Sequence, residues 1–431
     1  MLKNPKEFNI DKFYEKYRSG PKIFKKRDAL EPSFIPDELP HRDAQIQKVA
    51  ELTACALLGD TPPSFLCYGP TGTGKTATIR YVSQKLEQQC TEDKPWWIYI
   101  NCSVVSTPYR ILAHIYNRIS GSEKIPPTGL PKDIIFKKLL GILDQKVQSI
   151  CFLVLDEIDM LTEKQKGTEI LYDLTRLNEN LDWCKTSVIG ISNKLKFKDY
   201  LDPRVVSSLG QEHIVFPSYN ADELRDILSE RAKIAFHEGV IKDDVIPLCA
   251  ALAAKEHGDA RKALQLLRKA GELAARAQNK SVTHKHIDDA QNDLERNHIV
   301  EYIKGLPLQA QVVLSAIFLI SKFSPDHIIT SGDIYEVYSE LTQKIPGVRR
   351  LTERRISDFI NELDLAGIIL ANLKSMGHYG RTKFIKLDIN VELLENIFSE
   401  IDKFQNILNY KPILLQTEFT SFKNNVFKKL G

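Results

Sequence analysis

The stretch FLCYGPTGTGKTAT, residues 65–78, decides the class of fold. Four apolar residues run into a turn of glycine, proline and threonine. The chain leaves that turn on Lys75 and Thr76 and enters the amphipathic run ATIRYVSQKL. Residues Gly69 to Thr76 fit G-x-x-x-x-G-K-[ST], and a strand before with a helix after is the context this pattern needs. Glycines let the backbone wrap an anion, and the N–H groups of the loop and of the helix start favour phosphate oxygens. The reading assigns Gly69, Pro70, Thr71, Gly72, Thr73, Gly74, Lys75, Thr76 and Ala77 to a phosphate cradle. Lys75 is expected on the β- and γ-phosphates of ATP, or the β-phosphate of ADP, and Thr76 on Mg²⁺.

Further along, CFLVLDE, residues 151–157, is an apolar run that delivers two acidic residues at its end. In open α/β sheets, ligands bind beyond the carboxyl ends of the strands. Asp156 is therefore a second candidate for holding Mg²⁺, and Glu157 for orienting and activating a water. Other candidate strands are Trp96–Ile100, Ser187–Ile191 and His213–Phe216, continuous apolar runs of the kind parallel sheets bury on both faces. Helical patterns separate them, which predicts an α/β base with a parallel sheet. One of these, 107–119, carries a clean apolar stripe of Ile111, Leu112, Ile115, Tyr116 and Ile119.

Past residue 217 the strand signal stops. Asn220 with Glu223 marks a helix start, and the following helices are rich in Ala, Leu, Lys and Arg. From about 300 the pattern reads helix, helix, helix, then two short strands around a Gly-containing turn, which predicts a winged helix. The expected boundaries are a basic N-terminal segment 1–28, a base 29–217, a helical lid 218–298, a winged-helix domain 299–390 and a helical extension 391–431.

Composition agrees with several folded domains: 431 residues, 43% hydrophobic and 27% charged. No run reaches the ~18 apolar residues of a membrane helix, so no membrane partner is expected. Seven cysteines without a CxxC pair argue against a disulfide framework or a zinc site and for a reducing, cytoplasmic setting. Net charge is only +3, but residues 1–30 and 343–386 each hold nine Lys/Arg against four Asp/Glu. Basic segments on a near-neutral body suggest localised anion binding.

The acidic pair, together with Asn193 at the end of the next strand, resembles the AAA+ ATPases. In these proteins a polar residue at that place (sensor 1) helps position the water. The segment GDARKAL, residues 258–264, resembles their sensor 2, whose arginine, here Arg261, touches the γ-phosphate. LPHR at 39–42, LDPRVVSSL at 201–209, the extra helix 107–119 and the winged-helix pattern narrow the resemblance. Together they resemble the archaeal origin-recognition and cell-division-cycle initiators over residues 29–388. The resemblance implies that Pro40, His41 and Arg42 lie on the adenine side and that Tyr219 and Arg231 contact the nucleotide. It implies that Arg204 acts as an arginine finger on a second protomer, and that the helix bearing Arg110 contacts origin DNA. It also implies a replicative helicase as partner and a nucleoid-associated place of work.

Duplex binding has its own argument. Arg354 and Arg355 open a helix whose Ile356, Phe359, Ile360 and Leu363 turn inward, and the N-terminal end of a recognition helix is the part that meets DNA. Lys374, His378, Tyr379, Arg381, Thr382 and Lys383 at the hairpin suit phosphate or minor-groove contact. The expected function is an ATP-dependent initiator that binds origin DNA and hydrolyses ATP to ADP and phosphate slowly, as a switch. Two alternatives stay open at this point: a DNA-binding scaffold locked on ADP, and an AAA+ DNA-binding regulator outside replication.

Overall fold

The computed structural model describes residues 21–90, 94–121, 124–126, 128–145, 149–162, 167–325, 327–375 and 381–415. The chain divides into two units, Met1–Gln291 and Asn292–Gly431. Tyr379 and His378, with residues 1–20 and 416–431 of the two expected terminal segments, lie outside the described residues.

The first unit is built on five parallel strands: β1 Phe65–Tyr68, β2 Trp96–Asn101, β3 Ile150–Asp156, β4 Lys185–Ser192 and β5 Glu212–Val215. Their spatial order is β2-β3-β4-β1-β5. Each expected strand is present, shifted by no more than a few residues at its ends. Alternation explains why these runs are apolar throughout. Leu153 and Leu155 of β3 enter one core with Leu66, while Phe152 and Val154 enter the opposite core with Phe65. Helices cover both faces. On one side lie α1 Asp43–Ala54 and α2 Lys75–Gln89, which bury Val49, Ile79 and Val82. On the other lie α3 Pro108–Ser120, α4 Lys132–Asp144 and α5 Gly167–Thr175. The stripe read on α3 is buried there, and Thr107 caps the helix by accepting from the Arg110 N–H.

The strand order decides where the site forms. With all strands parallel, the ends of β1, β4 and β3 fall side by side, because β4 pairs with both neighbours. The turn after β1, Asn193 after β4 and Asp156 at the end of β3 thus meet on one edge. A short helix, α6 Pro203–Leu209, precedes β5.

The rest of this unit is helical: α7 Ala221–Ala235, α8 Val245–Lys255 and α9 Ala260–Arg276. The Asn220–Glu223 pair forms a reciprocal capping box at the start of α7. Helix α10, His284–Gly305, runs across the division between the units.

In the second unit α11 Leu308–Phe323 is buried on nearly every side, with Ala310 to Ile320 out of solvent. It is followed by α12 Ser331–Lys344 and α13 Glu353–Leu365. The hairpin strands are longer than the sequence suggested. Strand β7 is Ile369–Ser375 and β8 is Arg381–Leu387, paired antiparallel from Ile369↔Leu387 to Ser375↔Arg381. A two-residue strand that the sequence did not reveal, β6 Ile329–Thr330, adds to β8 and completes the three-stranded sheet of a winged helix. Beyond the hairpin, α14 Val391–Ser399 and Phe404 are part of this same core through Leu394, Ile397 and Phe398.

Candidate functional site

A cavity of about 320 Å³ opens over the strand ends of the first unit. One end is polar: Gly72, Thr73, Gly74, Lys75, Thr76, Ala77, Asp156, Glu157, Asn193 and Arg261 line it. The rest of the lining carries most of the apolar side chains, Pro32, Ile35, Pro36, Pro40, Tyr219, Ile227 and Leu264, with Ser33, Glu38, Glu230 and Arg231 among them. A polyphosphate suits the first and a flat heterocycle the second.

At the polar end, the loop after β1 turns through left-handed glycines at Gly72, φ 70°, and Gly74, φ 89°. Gly72 has no space for a side chain, since a Cβ there would lie 1.7 Å from Asp259 Oδ1. Lys75 is buried, and its Nζ donates to Gly69 O at 2.8 Å and Pro70 O at 2.6 Å. Burial, then the nearby Arg261 charge, pull its pKa down to about 8. Thr76 Oγ1 donates to Asp156 Oδ2 at 2.8 Å, and Asp156 Oδ1 accepts from the Glu157 N–H at 3.0 Å. A hydroxyl and a carboxylate at this distance are hard oxygen donors of the kind Mg²⁺ takes. Glu157 sits at φ 54°, in the left-handed region that side chains rarely adopt. Asn193 is held by Asp159, whose Oδ1 accepts from Ser192 Oγ at 3.1 Å and from the Asn193 N–H at 3.4 Å.

The helical lid closes onto the loop through Asp259. Its Oδ1 accepts from the N–H groups of Arg261 and Lys262, capping α9, and its Oδ2 accepts from Thr71 Oγ1 at 3.3 Å. The Ala260 N–H donates to Gly72 O at 3.2 Å. These contacts fix the start of α9, where Arg261 joins the lining of the cavity. The sequence singled out Arg261 in this pattern and gave no role to Asp259.

The geometry separates the residues that the resemblance placed on the adenine side. Pro40 lines the cavity, while His41 and Arg42 do not. His41 is exposed and contacts Asp226 at 3.0 Å. Arg42 is 2% exposed, and its guanidinium donates to Thr73 O, His41 O and Pro217 O at 2.7–2.8 Å. The Tyr219 ring lies 3.7 Å from its Cζ. A cation removed from water needs acceptors, so Arg42 is spent on backbone and acts as a strut between lead-in, loop and hinge. Gly69, Pro70 and Thr71 also lie outside the lining, the first two accepting from Lys75. Arg204 is not in the cavity. It is exposed on α6, paired with Asp202 through Nε at 3.1 Å and Nη2 at 2.9 Å, and lies 4.8 Å from the Tyr172 ring.

Residues 32–38 were missed altogether. Pro32, Ser33, Ile35, Pro36 and Glu38 form a wall of the cavity. The available signal was a proline at every fourth position, 32, 36 and 40, in an extended run without helical period.

The candidate nucleic-acid groups lie elsewhere. Arg110 is exposed on α3, whose other face fills the core, and Tyr109 Oη and Asn117 tie this helix to Pro126 and Ile125. In the second unit, Arg354 and Arg355 are exposed in the first turn of α13, Arg355 pairing with Asp358 at 3.3 Å. Lys383 donates to Asn361, and Thr382 Oγ1 meets Ser331 Oγ at 3.3 Å. Lys374 and Arg381 stand at the last ladder positions before the turn.

Comparison with known proteins bears on both units. A family model for a Cdc6 AAA+ ATPase-type lid domain matches residues 225–292, one for a CDC6 C-terminal winged helix domain matches 301–397, and one for an AAA domain matches 59–195. The chain is similar to the ORC1-type DNA replication protein of Thermococcus onnurineus, 48% identical over 403 residues, or 93% of this chain and 96% of that one. It is 43% identical to ORC1-type DNA replication protein 1 of Methanosarcina acetivorans, over 96% of this chain and 99% of the relative. Among solved structures, the Aeropyrum pernix ORC1 protein in complex with DNA matches with a TM-score of 0.77 at 42% identity, covering 90% of this chain and 99% of that chain.

Proposed function

The chain belongs to the family of ORC1-type DNA replication proteins, and from that premise we propose that it is an ATP-controlled initiator that binds origin DNA and helps load a replicative helicase. The observation that carries the nucleotide part is the Thr76–Asp156–Glu157 cluster facing Lys75, Asn193 and Arg261 in one cavity. Lys75 Nζ would leave its loop carbonyls for the β- and γ-phosphate oxygens of ATP. Thr76 and Asp156 would hold Mg²⁺, which when bound neutralises charge on the phosphates. Glu157 accepts the proton of the attacking water as its oxygen bonds to the γ-phosphorus. The bond to the β-γ bridging oxygen breaks, and ADP and phosphate leave. Asn193 orients that water, and Arg261 meets charge developing on the γ-phosphate.

Arg204 is exposed, paired with Asp202 and outside the lining of the cavity, which supports its reading as a finger offered to a second protomer on DNA. The exposed arginines of α13 with Lys374, Arg381, Thr382 and Lys383 of the wing, and Arg110 on α3, form the proposed bipartite DNA contact. This reading implies a nucleoid-associated protein in the cytoplasm.

Two measurements test it. Glu157→Gln keeps shape but removes the proton acceptor, so ATP should bind and persist, with single-turnover hydrolysis slowed about 10²-fold or more. Turnover at the wild-type rate would remove Glu157 from the mechanism. Genome-wide mapping of bound DNA should place the protein at replication start sites; occupancy spread over promoters would favour a regulator outside replication.

A further inference from the structure

The lead-in to the first unit is a strap laid across the helical lid. Lys25 and Lys26 donate their N–H groups to Ala235 O, at 2.8 and 3.1 Å, and the His237 N–H donates to Ile23 O at 3.2 Å. Phe24 stacks on Phe236 with ring centroids 4.9 Å apart, and Gly271 leaves room for it, since a Cβ there would lie 2.5 Å from the Phe24 ring. That anchors one end. The part that walls the apolar end of the cavity, Pro32 to Pro36, comes later in the chain and needs its own hold.

Arg231 of α7 supplies it. Nη1 donates to Ala29 O at 3.0 Å and Nη2 to Phe34 O at 3.0 Å, so the fork grips the strap on both sides of Pro32. The Phe34 ring lies 5.0 Å from Cζ. The side chain is 8% exposed, and burial lowers its pKa to about 10. The ion pairs Arg27–Glu272 and Arg268–Glu31 also tie the strap to α9. Their exposed partners add little. The buried fork is the strong contact, because hydrogen bonds from a desolvated cation are charge-assisted and geometrically fixed. Both terminal nitrogens are taken up by carbonyls of the strap, and the charged neighbour of Arg231 in the cavity lining is Glu230, not a group of the phosphate loop.

Resting on the nucleotide reading of this cavity, we infer that Arg231 is a positioning residue that sets nucleobase selectivity by fixing the strap between Ala29 and Phe34, and is not a phosphate ligand. The distinction has different chemical consequences. A phosphate ligand acts on every polyphosphate alike. A residue that shapes the wall against the base acts on ATP and leaves a ligand without a base untouched.

The test is equilibrium binding to the full-length protein with three probes: ATP, GTP and inorganic tripolyphosphate. R231K keeps the charge and loses the two-carbonyl fork. It should lower ATP affinity about tenfold, bring ATP and GTP affinities within about threefold of each other, and leave tripolyphosphate affinity as in wild type. F34A, which removes the ring against the guanidinium and touches no phosphate, should reproduce the loss of base preference. Hydrogen–deuterium exchange should quicken at the Glu31 and Phe34 amides in R231K, with α8 unchanged. Equal loss of ATP and tripolyphosphate in R231K would make Arg231 a phosphate ligand and overturn the inference, as would an intact ATP-over-GTP preference in R231K or F34A. A failure of the cavity's nucleotide reading looks different: Lys75→Ala would then bind ATP and tripolyphosphate as wild type does.

Discussion

Two sets of cations, one in each unit, are used in opposite ways. In the first, Arg42, Lys75 and Arg231 are buried and donate to backbone carbonyls of the loop, the lead-in and the hinge. In the second, Arg354 and Arg355 stand exposed on the first turn of α13, and no backbone carbonyl holds their guanidinium groups among the described residues. A desolvated cation must be surrounded by acceptors, so the first set has become part of the scaffold that shapes a cavity. An exposed cation keeps its hydration and adds little to folding. It is available to a polyanion, where displaced counterions supply the driving force.

The contrast makes graded predictions. The largest effect is expected at Lys75, whose loss removes the buried cation at the polar end. Lys75→Ala should weaken ATP and ADP binding by about 10²-fold or more in a calorimetric titration. Arg42→Ala should act on the fold, lowering stability by about 2–4 kcal/mol in denaturant unfolding, because three carbonyls and the Tyr219 ring lose their partner. If Arg42→Ala left stability untouched, the distinction between scaffold cations and available ones would fail.

A third test uses pH. Lys75 has a folded pKa of about 8 against an ordinary 10.5. Between those values the unfolded chain holds a proton that the fold has released, so Lys75 makes stability rise with pH across that window. Nucleotide affinity should move the other way, falling towards tenfold per pH unit above about 8, because the neutral amine must regain its proton to meet a phosphate. Melting curves and ATP titrations at pH 7.5, 8.5 and 9.5, with Lys75→Met as the reference, should show two slopes of opposite sign that both vanish in the variant. The smallest effect on stability belongs to Arg354→Ala, within about 0.5 kcal/mol. Its DNA affinity should fall severalfold, and a lost phosphate contact should reduce the slope of log K against log salt by about one.

What the sequence disclosed follows the same division. The turn after β1, the acidic end of β3, the capped start of α7 and the inward stripe of α13 are patterns within a dozen residues, and local physics writes them plainly. Asp259 meeting Thr71, Arg42 meeting Pro217 and Arg231 meeting Ala29 join positions far apart in the chain. No periodicity encodes such a meeting. A helix arginine that will donate to a distant carbonyl reads the same as one facing water. The order of the sheet escaped for the same reason, since apolar runs announce strands but not their neighbours. The strand Ile329–Thr330 was too short to leave a period at all.

Glu157 stands at φ 54° between Asp156 and Ile158, whose N–H donates to Ile191 O at 3.0 Å. A left-handed conformation costs a side-chain-bearing residue about 1–2 kcal/mol, and glycine would relieve it. The residue that fits the backbone best is therefore the one that carries no carboxylate. Selection for thermal robustness alone would favour the smaller residue, and the water-activating role proposed for Glu157 is what would hold the carboxylate there against it. The strained turn after β3 is a place where fitness and stability can be read as separate quantities in a single position.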